Sequence, residues 1–117
     1  MIDLSAGDRA TLRELSRRVA DIALQPCQQE RAELWRRHND LERLRPLVLV
    51  FPEGSWRELI PDSELRCTGA WARSVEMDLR RRLYYAEHLP DDNVIEATLV
   101  CPIAIRYPPL GLEVRQT

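Results

Sequence analysis

A chain of 117 residues, 44% of them hydrophobic and 31% charged, has the length of one domain with one modest core and lies well away from the compositions that stay disordered. Its formal net charge is −2 and its charges of both signs are interleaved, so a general affinity for nucleic acid is not indicated. All 17 basic residues are Arg, which excludes amine nucleophiles at side-chain level and leaves clamps for carboxylates or phosphates available.

Ser5 followed by Asp8 has the form of an N-cap with an acidic first turn, and Leu12, Leu15, Val19 and Ile22 recur at helical steps, predicting an amphipathic helix over about 6–24. Pro26 interrupts it. A second helix follows, with Leu34, Trp35, His38 and Leu41 on one stripe, and ends before Pro46. The character then changes. Leu47 to Phe51 is a continuous apolar run bounded by prolines and predicts a strand buried on both faces. Pro52 to Ser55 forms a turn, Trp56 to Ile60 one helical turn, and residues 62–69 a loop. Trp71, Val75, Leu79, Leu83 and Ala86 step along a third long helix over about 70–88. Pro90 to Asn93 is a turn, Val94 to Ile105 predicts one or two strands broken near Pro102, and Leu110 to Val114 is one weak further apolar stretch. The expected class is α/β, with a helical segment over 1–45 and the start of an α/β domain over 46–117. Two isolated strands make a thin sheet, so the core is expected to be completed by further chain or by a partner.

Polar residues just after a buried strand are where α/β folds place ligand groups, which singles out Glu53, Trp56 and Arg57. Glu53 is the candidate catalytic carboxylate, for proton transfer or cation binding. Trp56 and Arg57 are the candidate substrate-binding pair, a wall for an apolar ligand and a cation. An ordinary strand-to-helix turn with a packed Trp is the plainer alternative. His38 and His88 have no second ligand at helical spacing, and Cys27, Cys67 and Cys101 form no C-x-x-C pair, so no metal is expected on this chain and the thiols are expected to be reduced, as in the cytoplasm. Arg80, Arg81 and Arg82 point about 100° apart around a helix and form a solvated face with partners such as Glu76 and Glu87. Asp91 and Asp92 have the spacing of turn formers. No phosphate-binding glycine loop and no G-x-S-x-G elbow occurs. The apolar run at Leu47 to Phe51 is far shorter than the ~20 residues that span a bilayer, and the acidic N-terminus lacks a signal-peptide pattern, so no membrane association is expected.

The run W-R-R-H-N-D-L-E-R-L-R-P-L-V-L-V-F-P-E-G-S-W-R-E-L, Trp35 to Leu59, with L-R-R-R-L-Y-Y-A-E-H-L-P-D-D-N-V-I-E, Leu79 to Glu96, resembles the N-terminal region of bacterial proteins of the uroporphyrinogen decarboxylase-like superfamily. The branch it is most similar to is described as cobalamin-dependent methyltransferase-like or as trimethylamine corrinoid proteins. The resemblance implies a (β/α)8 barrel with a helical lead-in, of which this chain would hold the first strands and helices, with Glu53, Trp56 and Arg57 at the rim of the pocket. It implies corrinoid-linked methyl transfer or a related decarboxylase-type activity, inactive in this chain alone. Any zinc or corrinoid would belong to the full-length protein, and the partners would be the remainder of the barrel and a corrinoid protein. The arginine-rich segment that follows the first strand of true decarboxylases is not matched by P-E-G-S-W-R, which argues against porphyrinogen decarboxylation.

A second expectation, of another class, is a small standalone interaction module that homodimerises through the stripes of residues 12–22 and 34–41. A nucleic-acid binder using the arginines of residues 80–82 ranks last and would show binding that weakens steeply with salt.

Overall fold

The structure, a computed structural model, describes residues 2, 4–102 and 104–105. Four α-helices carry it: α1 (Ala6–Ala23), α2 (Pro26–Asn39), the single turn α3 (Trp56–Leu59) and α4 (Ala70–His88). Short 3₁₀ turns precede and follow α3, at Glu53–Ser55 and Asp62–Glu64. None of the helices is long and apolar enough to cross a membrane.

The start of α1 follows its sequence. Ser5 caps it by accepting from the Asp8 amide at 3.0 Å, which satisfies one of the donors every helix start leaves open. Leu12, Leu15 and Val19 then fall on one face and pack against Val75, Leu79 and Leu83 of α4, with Ala72, Cys67 and Ile95 in the same core. This α1–α4 pair is the centre of the molecule. Its stripes are period-matched, so each helix buries a narrow apolar face and leaves most of its charged residues in solvent, Asp8 and Glu76 excepted.

The loop between α3 and α4 closes over that core on two buried carboxylates. Glu76, fully buried on α4, accepts from the amides of Arg66 (2.9 Å) and Cys67 (2.8 Å) and pairs with Arg80 at 2.8 Å. Asp8, in the first turn of α1, accepts from the amides of Thr68 (2.8 Å) and Gly69 (2.9 Å). A buried acid is costly unless its lone pairs are filled, and both are filled here by backbone donors that have no strand to bond to. Gly69 sits with its Cα close to Asp8: a Cβ there would lie 3.2 Å from Oδ2.

Helix α2 departs from expectation. Its apolar stripe does not pack: Leu34 and Trp35 are only half-buried, and His38 and Leu41 are exposed. The residue it buries is Gln28, whose side-chain oxygen accepts from the Ile95 amide at 2.8 Å, while the Trp35 indole donates to the Asp92 carbonyl at 2.7 Å. The helix ends in a Schellman turn, with Glu42 N–H to the Arg37 carbonyl and Leu41 N–H to the His38 carbonyl, and Leu41 occupies the left-handed position at φ 62°.

The expected α/β class, with the first strands of a barrel, is overturned: no strand occurs among the described residues. Residues 46–51 and the described part of 94–105, which bends at Ala97, pair with no strand, and extended chain becomes sheet only when a neighbouring backbone completes the ladder. Leu47 to Phe51 is not buried on both faces either; Val48 is 57% and Phe51 69% exposed. The expected apolar stretch Leu110 to Val114 lies outside the described residues.

Candidate functional site

The apolar run is held along one edge by side chains in place of a strand. In extended backbone, the N–H and C=O of alternate residues point to opposite edges. On the inner edge, Val48 donates to Asp92 Oδ2 at 2.8 Å and its carbonyl accepts from the Asp92 amide at 2.9 Å. Val50 donates to Asp91 Oδ2 at 3.0 Å, and its carbonyl accepts from the Tyr85 hydroxyl of α4. Arg45 locks the entry to the segment with two bonds to the Asp92 carboxylate, at 2.6 and 3.0 Å. The outer edge is bare: the backbone groups of Leu47, Leu49 and Phe51 make no hydrogen bond among the described residues. Pro46 and Pro52, which lack N–H groups, fall on the inner parity and leave the outer donors intact.

Asp91 and Asp92 are therefore more than turn formers. Both are buried, and they substitute for a missing strand across 41 to 44 residues of sequence. The Arg45 guanidinium and the Val48 amide hold the Asp92 carboxyl at about 2, well below its ordinary value. For Glu76, burial pushes the carboxyl up, and the Arg66 and Cys67 amides with Arg80 outweigh it, leaving it below the ordinary range.

The three predicted site residues are only partly brought together. Trp56 is buried against α4, edge-on to Tyr84 and Tyr85 at 5.7 and 5.6 Å, with the Arg81 guanidinium 5.2 Å above its ring. It is mainly a packed lid. Trp56 and Arg57 do line one cavity of about 210 Å³ with Ile60, Asp62, Met77 and Arg81. Glu53 lies outside it, exposed, at the left-handed φ of 48°. Its carboxylate makes no hydrogen bond or ion pair among the described residues. Arg81 is exposed, as its place on a solvated face implied, and it also lines this cavity, a role the sequence reading did not assign; its four-residue offset from Met77 was the available signal. Arg80 and Arg82 are used otherwise, by Glu76 and by Asp78.

The residues present do not fit a zinc–thiolate centre. Among the described residues no group of three or more His, Cys, Asp or Glu side chains could hold a metal ion. Cys67 is sealed in the core, and burial with the neighbouring Glu76 pushes its thiol up to about 12, the reverse of what a thiolate ligand needs. His38 packs edge-on against Trp35, and His88 lies tilted at 45° against Tyr84.

No family model matches this chain, and neither a curated protein nor a solved structure matches it.

Proposed function

We propose that this chain is a docking segment and not a catalyst in its own right: it holds residues 47–51 extended so that their outer edge adds to a larger protein body. The observation that supports this is the half-finished ladder, with one edge satisfied by Asp91, Asp92 and Tyr85 and the other bare beneath exposed apolar side chains. An unpaired edge carrying Leu, Val and Phe is a template for strand addition. Following the resemblance of Trp35 to Leu59 and Leu79 to Glu96, the larger body is the remainder of a uroporphyrinogen decarboxylase-like enzyme of the cytoplasm, acting in corrinoid-linked methyl transfer or a related decarboxylase-type reaction. Zinc or corrinoid chemistry, and any corrinoid protein partner, would be engaged by that remainder. Trp56 and Arg57 contribute a wall to the substrate pocket there, and the exposed Glu53 gains a role only if the remainder supplies its partners.

A second reading, a homodimer, is favoured by the register of the same edge. Antiparallel pairing about Leu49 places Leu47 opposite Phe51 of a second copy, with every outer donor of residues 47–51 facing an acceptor. The helix stripe of residues 12–22 is not available for this, because Leu12, Leu15 and Val19 are already spent on α4.

Hydrogen exchange at Leu47, Leu49 and Phe51, paired with sedimentation, tests both. A monomeric chain whose outer amides become protected only in the complete gene product supports the docking segment. A concentration-dependent dimer that Leu49→Pro abolishes supports the homodimer, since proline removes an outer donor without touching the inner edge. Outer amides that stay unprotected in every form would contradict both.

A further inference from the structure

A different face of the molecule carries a built arrangement of charge. Arg9, Arg13 and Arg17 stand one turn apart on α1, a stripe about 12 Å long at the helical rise. All three are exposed, and none is in an ion pair among the described residues, in contrast to Arg18, Arg66, Arg80 and Arg82. Two of the neighbouring acids are occupied elsewhere: Asp8 holds the Thr68 and Gly69 amides, and Glu14 pairs with Arg66 at 3.0 Å, while the exposed Asp21, one turn beyond Arg17, is in no ion pair among the described residues. Alongside the stripe runs a groove of about 430 Å³ with Leu12 in its floor, Leu4 at one end and the Trp71 indole, 38% exposed, on the α4 side.

We infer that this face of α1 is a docking groove for an acidic amphipathic helix, one that places carboxylates a turn apart against Arg9, Arg13 and Arg17 and an apolar side chain against Trp71. Charge complementarity selects the occupant. Carboxylates at four-residue spacing on a helix repeat every ~6 Å, the same step as the three guanidinium groups, and each Arg can take a carboxylate in a bidentate pair. Single-stranded nucleic acid fits less well, because it needs successive aromatic platforms for successive bases and this face offers only Trp71. The apolar strip is also narrow for a lipid surface, which asks for a broad hydrophobic face under the basic one.

The test is a titration of the full chain with a helix-stapled peptide carrying three glutamates one turn apart and leucines between them, followed by amide NMR and tryptophan emission. The expected result is binding that perturbs residues 4–17 and 71, weakens with salt, and falls by roughly tenfold or more in Arg13→Glu, a change in an exposed residue that leaves the fold intact. A peptide with glutamine in place of every glutamate should bind at least about tenfold more weakly. Equal binding of the two peptides, perturbation centred elsewhere, or tighter binding to oligo-dT or to anionic phosphatidylserine vesicles than to the acidic peptide would overturn the inference.

Discussion

The α1–α4 pair and the segment 46–51 both carry apolar runs of side chains and use them in opposite ways. In the helix pair, every backbone bond is local, so burying Leu15, Val19, Leu79 and Leu83 asks nothing of distant chain beyond a lid, and Glu76 and Asp8 supply the lid's anchors. In the extended segment each residue needs a neighbour in space for its backbone, and only half of that neighbour is present, in the form of two aspartates and a tyrosine hydroxyl. The comparison shows that an apolar run fixes a conformation only when something else in the chain can accept its hydrogen bonds.

The two regions should respond very differently to mutation. Glu76→Ala strands the Arg66 and Cys67 amides and leaves Arg80 unpartnered at the core; it should cost about 3–5 kcal/mol in chemical denaturation. Leu15→Ala and Leu79→Ala each open a cavity at the α1–α4 contact and should cost about 2–5 kcal/mol. Phe51→Ala, which removes a larger side chain from the exposed segment, should change stability by no more than about 0.5 kcal/mol. A Phe51→Ala penalty comparable to that of Leu15→Ala would erase the distinction.

Acid should release the two regions' anchors together. Asp8, Glu76 and Asp92 all have carboxyls held below their ordinary values in the folded chain. The sign follows: the unfolded chain takes up protons first, so the stabilisation is complete above the ordinary carboxyl range and is lost as pH falls from about 4 through the folded values, which for Asp92 is about 2. Circular dichroism across that range should show loss of structure on acidification, and a chain equally stable at pH 2 and pH 6 would contradict the anchoring role of these acids.

One further expected effect is a gain. Leu41 is 92% exposed and sits at the left-handed position that closes α2, where a side chain is strained and glycine is not. Leu41→Gly should stabilise the chain by about 0.5–1 kcal/mol, measurable as a small rise in Tm.

The elements whose logic is local were legible in the sequence. Ser5, Asp8 and the stripe from Leu12 to Ile22 set α1, which ends within a residue of expectation, and Val75, Leu79 and Leu83 set α4. What failed was everything that depends on a partner distant in sequence. Leu47 to Phe51 has the composition of a buried strand, and composition does not say that its neighbours are carboxylates more than forty residues away. Glu76 looked like surface charge between Val75 and Leu79; the two strandless amides at Arg66 and Cys67 make it a core residue. At the candidate site, Trp56 and Arg57 share a cavity that Glu53 does not reach, and the exposed Arg81 also lies over the Trp56 ring, a contact that one-dimensional spacing does not show.

Amide hydrogen exchange across residues 47–51 of the chain by itself tests the central claim, the one-sided ladder, most directly. Val48 and Val50 should exchange at least ~10-fold more slowly than Leu47, Leu49 and Phe51, and Asp92→Asn should weaken the protection at Val48. Equal exchange on both parities would mean that the aspartates do not hold an edge, and would contradict the account.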